Sequence, residues 1–293
     1  MIQTGTEAPQ AQVVPVESAD SAAAELILVA PPAPRVGLLW LPALGVPARN
    51  YRLFADALAA HGVVVALHEW RGTGSSALRA SREHDWGYRE LLELDLPASM
   101  AAARAHGPDL PWLLAGHSLG GQIASLFAAA NADTVHGVFH VASGAPYWRT
   151  FPSRQRWLVR TMFAIMPMLV SLLGRYPGRR FGFAGNEART VMRDWARTGR
   201  TGVYRIPGSS VDFESAMQAS TFPLLGLRMR DDRLCPRDSF DSLLGRFSGA
   251  PVERITFAAE DFTGGEATHF SWMSEPAAVA AAVSAWVQRH FGR

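Results

Sequence analysis

Three segments open with short, unbroken apolar runs: VVVALHEW (63–70), WLLAGHS (112–118) and GVFHVASG (137–144). A strand with one wet face alternates apolar and polar residues. A continuous run instead predicts a strand buried on both faces, as in a parallel sheet covered by helices. The chain between these runs agrees. NYRLFADALAAHG (50–62) carries apolar residues at helical spacing and stops at Gly62. YRELLELDLPASMAAARAHG (88–107) reads as a helix kinked or broken at Pro97, and LGGQIASLFAAANA (119–132) as another helix. AELILVA (24–30) and RVGLLWLPA (35–43) predict two earlier strands. Strands alternating with helices imply βαβ units and a parallel sheet.

The alternation stops near residue 144. It resumes with a strand at FPLLGLRMRD (222–231), a helix near 237–247, a strand at VERITFA (252–258) and a terminal helix, PAAVAAAVSAWVQRHF (276–291). The intervening stretch is helical in pattern and rich in arginine. The expected organisation is an α/β core from residues 1–145 and 216–293, with residues 146–215 inserted as a helical cap. The chain has no lysine. Between residues 146 and 210 twelve arginines face only Glu187 and Asp194, a local charge of +10 within a chain of net charge +2.

A chain of 293 residues that is 48% hydrophobic can bury the core of one large α/β domain. One cysteine, Cys235, allows no internal disulfide. The N-terminal MIQTGTEAPQAQ lacks a basic segment followed by an apolar one, so no signal peptide is expected. The longest apolar run, TMFAIMPMLVSLLG (161–174), is short for a bilayer span and contains Pro167. A cytoplasmic protein without a transmembrane segment is the expectation.

The chemistry concentrates at GHSLGG (116–121), where a buried strand meets a helix. Ser118 at so sharp a turn is forced into unfavourable backbone angles, and small neighbours relieve the crowding. Gly116, Gly120 and Gly121 supply them. The turn lifts the hydroxyl above the sheet edge and puts the Leu119 N–H at a helix N-terminus, aimed at a developing oxyanion. A serine nucleophile needs a base, and the base an orienting acid. DDRLCP follows the strand at 222–231, with Asp232 better placed than Asp231. AEDFTGGEATHF follows the strand at 252–258 and holds His269, the only histidine between 141 and 289.

On these residues the chain resembles the α/β-hydrolase family, most nearly its monoglyceride-lipase and serine-aminopeptidase members, over nearly its whole length. GHSLGG matches the family's nucleophile elbow, DDRLCP its acid turn and THF its histidine loop. The resemblance implies an eight-stranded, mostly parallel sheet with a cap inserted after the sixth strand. It implies Ser118 as nucleophile, His269 as general base then acid, and Asp232 as orienting carboxylate. LLWLPALG is similar to the loop supplying the second oxyanion donor. The resemblance assigns that donor to the Leu44 N–H; Pro42-Ala43 stands where His-Gly is usual, with a one-residue displacement to Ala43 as the alternative. HEWRGTGSS is similar to the loop after strand four, with Glu69 in place of the usual Asp.

Other motifs carry less. GTGSSA (72–77) fits a dinucleotide fingerprint but follows at least two earlier strands and is absorbed by the strand-four loop. No P-loop, HExxH or paired cysteine is present, so no cofactor and no metal are expected. His68, His117 and His140 read as structural or pocket-wall residues, with His117 close enough to the nucleophile to touch substrate. The expected activity is hydrolysis of an acyl ester through an acyl-enzyme. A thioesterase or acyltransferase on the same triad, or a non-catalytic binding protein, is the alternative. The expected partner is a small acyl substrate rather than nucleic acid. The +10 segment suits an anionic part of that substrate. Run 161–174 either packs on the core and lines an acyl pocket, or meets anionic lipid through an apolar face flanked by arginines.

Overall fold

In the computed structural model, which describes residues 10–292, eight strands form one sheet. The expectation about a leader falls largely on residues outside this range. The first half of the chain runs β1 (Gln10–Glu17), β2 (Ala23–Ala30), β3 (Val36–Leu41), α1 (Arg52–Ala59), β4 (Val63–Leu67), α2 (Tyr88–Glu90) and α3 (Leu96–Arg104). It continues through β5 (Trp112–His117), α4 (Leu119–Ala130) and β6 (Gly137–Val141). Next come α5 (Ser153–Leu173), β7 (Arg175–Pro177), α6 (Gly178–Phe181), β8 (Asn186–Ala188), α7 (Arg189–Thr201) and α8 (Phe213–Ala219). The chain ends with β9 (Leu224–Met229), α9 (Arg237–Leu244), β10 (Val252–Phe257) and α10 (Ala277–Phe291).

The sheet order is β1-β2-β4-β3-β5-β6-β9-β10. Strands β4 to β10 of this order run parallel, and β1 and β2 add an antiparallel edge. The eight-stranded, mostly parallel sheet expected from the sequence is therefore present. The connection from β3 to β4 winds one way along the sheet, and that from β5 to β6 the other. The carboxyl ends of β3 and β5 thus flank the crevice where ligands bind in open α/β sheets.

Both faces are covered. Trp40, Phe54, Trp272 and Trp286 pack between the sheet and the α1–α10 layer, with the Trp40 and Phe54 ring centroids 4.9 Å apart. Residues from α3, α4, α8 and α9 cover the opposite face. The central strands β3, β4, β5 and β6 are buried along their whole length, which explains their unbroken apolar runs.

Three local features differ from the sequence reading. β1 was not expected: only alternate residues such as Val16 turn inward, and Pro15 sits where an edge strand tolerates it. Pro97 does not break its helix. A π turn at Leu91–Asp95 precedes it, and Pro97 enters α3 in its first turn, where no N–H is required. The apolar run 161–174 is part of a longer helix: α5 has 21 residues and continues through Pro167. By length and composition alone it could cross a membrane, but in the fold one of its sides packs against α7.

The inserted elements between β6 and β9 are not all helical, since β7 and β8 pair as an antiparallel hairpin. α8, which straddles residue 215, contributes Phe213 and Met217 to the core on the α4 side of the sheet.

The edge hairpin is tied down by charge. The Arg71 guanidinium bonds both oxygens of buried Asp95 and both oxygens of Asp20, and Ser18 also donates to Asp95. Removing one partner of a buried pair strands the other without solvent. Arg71→Ala is expected to lower unfolding free energy by about 3–5 kcal/mol in urea titrations.

Candidate active site

At the end of β5 the chain turns within one residue. Ser118 has φ 54° and ψ −119°, a region costly for any side chain. The strain is held by its neighbours. The Ser118 N–H donates to Val141 O (3.1 Å), and the Ser118 carbonyl accepts from Ser143 Oγ (2.6 Å) and the Gly121 N–H. The glycines are there for space. A Cβ at Gly116 would lie 2.3 Å from the Gly120 carbonyl carbon, and one at Gly120 2.1 Å from the Leu41 carbonyl oxygen. The elbow of β5 thus rests directly on the end of β3.

The loop leaving β3 carries the other oxyanion candidate. The Ala43 N–H donates to Tyr51 Oη (2.9 Å), and Tyr51 Oη lies 2.9 Å from His117 Nδ1. Burial and the adjacent His269 ring push the His117 pKa well down, so this imidazole is neutral. His117 is fully buried beneath His269, with ring centroids 4.7 Å apart, and does not line the cavity. The expectation that it touches substrate is not met. Glu69 braces the same loop, accepting from the Ala48 N–H and the Thr73 hydroxyl. His68 and His140 are also buried, bonded to Ser99 and Ser125, and desolvation pulls both pKa values down to about 3. No helix begins at GTGSSA; the segment is a turn-rich loop, so it lacks the strand-to-helix junction of a dinucleotide site.

Asp232 and His269 meet from the loops after β9 and β10. His269 Nδ1 lies 2.7 Å from Asp232 Oδ2, and both residues are buried. The other carboxylate oxygen accepts from the Leu234 and Cys235 N–H groups (2.8 and 2.9 Å). One carboxylate therefore closes its own turn and holds the imidazole. Asp231 is exposed, and its backbone N–H bonds Ala267 O. Cys235 is buried, and desolvation raises its thiol pKa, so it is a packed thiol rather than a thiolate.

A cavity of about 540 Å³ joins these parts. Ser118, Leu119, Leu44 and His269 all line it. Leu158, Val159, Met162 and Phe163 of α5 and Trp195 of α7 form its apolar wall. An open groove of about 690 Å³, lined by Arg230, Arg233 and Asp232, shares His269 and Phe270 with it. Sequence reasoning missed Tyr51 and Ser143. Tyr51 looks like any apolar-face residue opening a helix, and Ser143 has no motif around it.

The inserted hairpin leans on the loop leaving β3. A Cβ at Gly45 (φ 73°) would fall 1.9 Å from Gly185 N. The Gly185 N–H donates to Glu187 Oε1 (2.8 Å), and burial pushes the Glu187 pKa up to about 7. The folded state thus holds this proton more tightly than the unfolded chain. Its stabilisation is complete below the ordinary value of 4.5 and is lost as pH rises through about 7. Glu187→Gln is expected to flatten the fall in melting temperature across that window. Tyr51→Phe should cost about 1–3 kcal/mol in chemical denaturation, because it leaves the Ala43 N–H unpaired in the core.

No curated protein matches the sequence. Solved structures share the fold at low identity. An esterase from Pyrococcus furiosus aligns with a TM-score of 0.62 at 14% identity, covering 99% of this chain and 96% of its own. The esterase EaEST from Exiguobacterium antarcticum gives 0.60 at 14%, covering 94% and 100%. A thermophilic esterase from Thermogutta terrifontis gives 0.60 at 15%, covering 96% and 99%. The family model described as serine aminopeptidase, S33 (Hydrolase_4) matches residues 33–258. An elbow serine, an acid and a histidine after successive strands, and a match over most of the chain lead to one assignment: the protein belongs to the serine aminopeptidase S33 family of α/β hydrolases.

Proposed function

We propose that the protein is a serine esterase using Ser118, His269 and Asp232. Ser118 Oγ attacks the acyl carbonyl while the free nitrogen of His269 takes its proton. Asp232 keeps the hydrogen on Nδ1 and stabilises the imidazolium. The oxyanion is held by the N–H of Leu119, unpaired in the first turn of α4, and by that of Leu44. Leu44 is favoured over Ala43 because the Ala43 N–H is already bound by Tyr51. The imidazolium then returns its proton to the leaving alcohol. Water, deprotonated by His269, releases the acid from the acyl-enzyme.

The observation that carries this reading is the buried His269–Asp232 contact of 2.7 Å on the rim of the cavity that also exposes Ser118. The cavity also favours an acyl ester over a peptide with a free amino terminus. Its lining is apolar apart from residues such as Gln122, Ser239 and Arg233, and among the described residues it includes no carboxylate to hold an ammonium group. Its volume lies in the range of small-molecule sites.

A fluorophosphonate probe is expected to label the native protein and not Ser118→Ala. Labelling that persists in the variant would defeat the assignment. Asp232→Asn should keep the turn at Leu234 and Cys235 yet lower kcat for p-nitrophenyl esters by about 10⁴-fold, since it favours the wrong imidazole tautomer. In a series of rising acyl length, kcat/KM should climb until the cavity is filled and then fall.

A further inference from the structure

We infer that the outer face of α5 is a docking surface for a lipid bilayer rich in anionic headgroups. The helix is apolar on two opposite sides. Phe163, Met166 and Val170 are buried against Met192 and Ala196 of α7. On the other side Trp157, Leu158, Ile165, Met168 and Leu172 are between 47% and 73% exposed. Their spacing puts them on one stripe, about 22 Å long at 1.5 Å per residue. A soluble surface scatters such side chains singly; an aligned row of them marks an interaction face.

The charge around the stripe selects the occupant. Arg154 and Arg160 stand at its N-terminal end, and the Arg160 guanidinium lies 5.0 Å from the Trp157 ring. At the other end Arg193 donates to Ser171 Oγ (2.6 Å) and Arg82 to the Leu172 carbonyl. The only two acids between residues 146 and 210, Glu187 and Asp194, are both buried. The exposed charge of this region is therefore entirely positive. An apolar stripe bordered by guanidinium groups matches the boundary between acyl chains and anionic headgroups. A second copy of the chain fits less well, because twofold pairing would bring two arginine borders together.

The stripe also adjoins the cavity, since Leu158 belongs to both and exposed Phe270 and Leu234 rim the opening. A bilayer-dissolved ester would enter without crossing water. That consequence rests on the esterase proposal; the docking does not.

The test is vesicle flotation of the full-length Ser118→Ala protein, which separates docking from turnover. Vesicles of phosphatidylcholine alone are compared with vesicles holding about 30% phosphatidylglycerol, in low salt and in about 0.5 M NaCl. Flotation is expected with the anionic vesicles, with partition at least about tenfold lower on neutral vesicles or in high salt. Ile165→Asp/Met168→Asp/Leu172→Asp alters only exposed positions and should abolish flotation while leaving the melting temperature and, in the Ser118 background, esterase activity in solution intact. Arg154→Gln/Arg160→Gln keeps the apolar stripe and should weaken binding severalfold, to about a fifth or less. Absence of flotation on anionic vesicles, equal flotation of the aspartate variant, or a dimer in light scattering that the aspartate variant dissolves would each overturn the inference.

Discussion

The carbonyl oxygen of Leu41 occupies the space a side chain at residue 120 would need, so the end of β3 and the first turn of α4 touch backbone to backbone. Most of the site follows from this contact. β3 and β5 are neighbours whose connections diverge, so their loops leave the sheet side by side. Glycine at position 120 lets those loops close to contact, and Leu44 and Leu119 then line one cavity. The strained angles of Ser118 persist because Val141 and Ser143 hold its backbone from the β6 side. Strain of this kind costs roughly 1–3 kcal/mol, a sum the surrounding hydrogen bonds can offset.

Beneath the site the buried polar groups are tied to one another through single contacts. Tyr51 Oη bonds both the Ala43 amide and His117 Nδ1, and burial holds the His117 pKa well down beneath His269. The Asp232 carboxylate accepts from two backbone N–H groups and lies 2.7 Å from the His269 imidazole. The layer of tryptophan and phenylalanine around Trp272 packs under this network, and the Trp272 indole donates to the His269 carbonyl (3.1 Å).

Much of this was legible in the residues, for identifiable reasons. Strands buried on both faces must be apolar throughout, so β4, β5 and β6 announce themselves. The elbow is legible because sterics exclude side chains at Gly116 and Gly120. Asp232 and His269 were found by position, each just beyond a strand; nothing in the sequence alone fixes the 2.7 Å between them. What stayed hidden depends on tertiary context. β1 turns only half its residues inward. The π turn before Pro97 is a response to packing that no local propensity encodes. Tyr51 gains its role only when folding brings residues 43 and 117 to its hydroxyl. The two-sided character of α5 was invisible because burial, not composition, divides its faces.

Gly45 and Gly185 meet with no side chain between them, one from the β3 loop and the other from the inserted hairpin. Such a seam has no rotamers to absorb displacement. A displacement of the hairpin at this seam would therefore be passed on to the loop leaving β3. The wall of the cavity and the loop that carries Leu44 are thereby geared together, so a substitution in the hairpin can reshape the chamber from outside its lining.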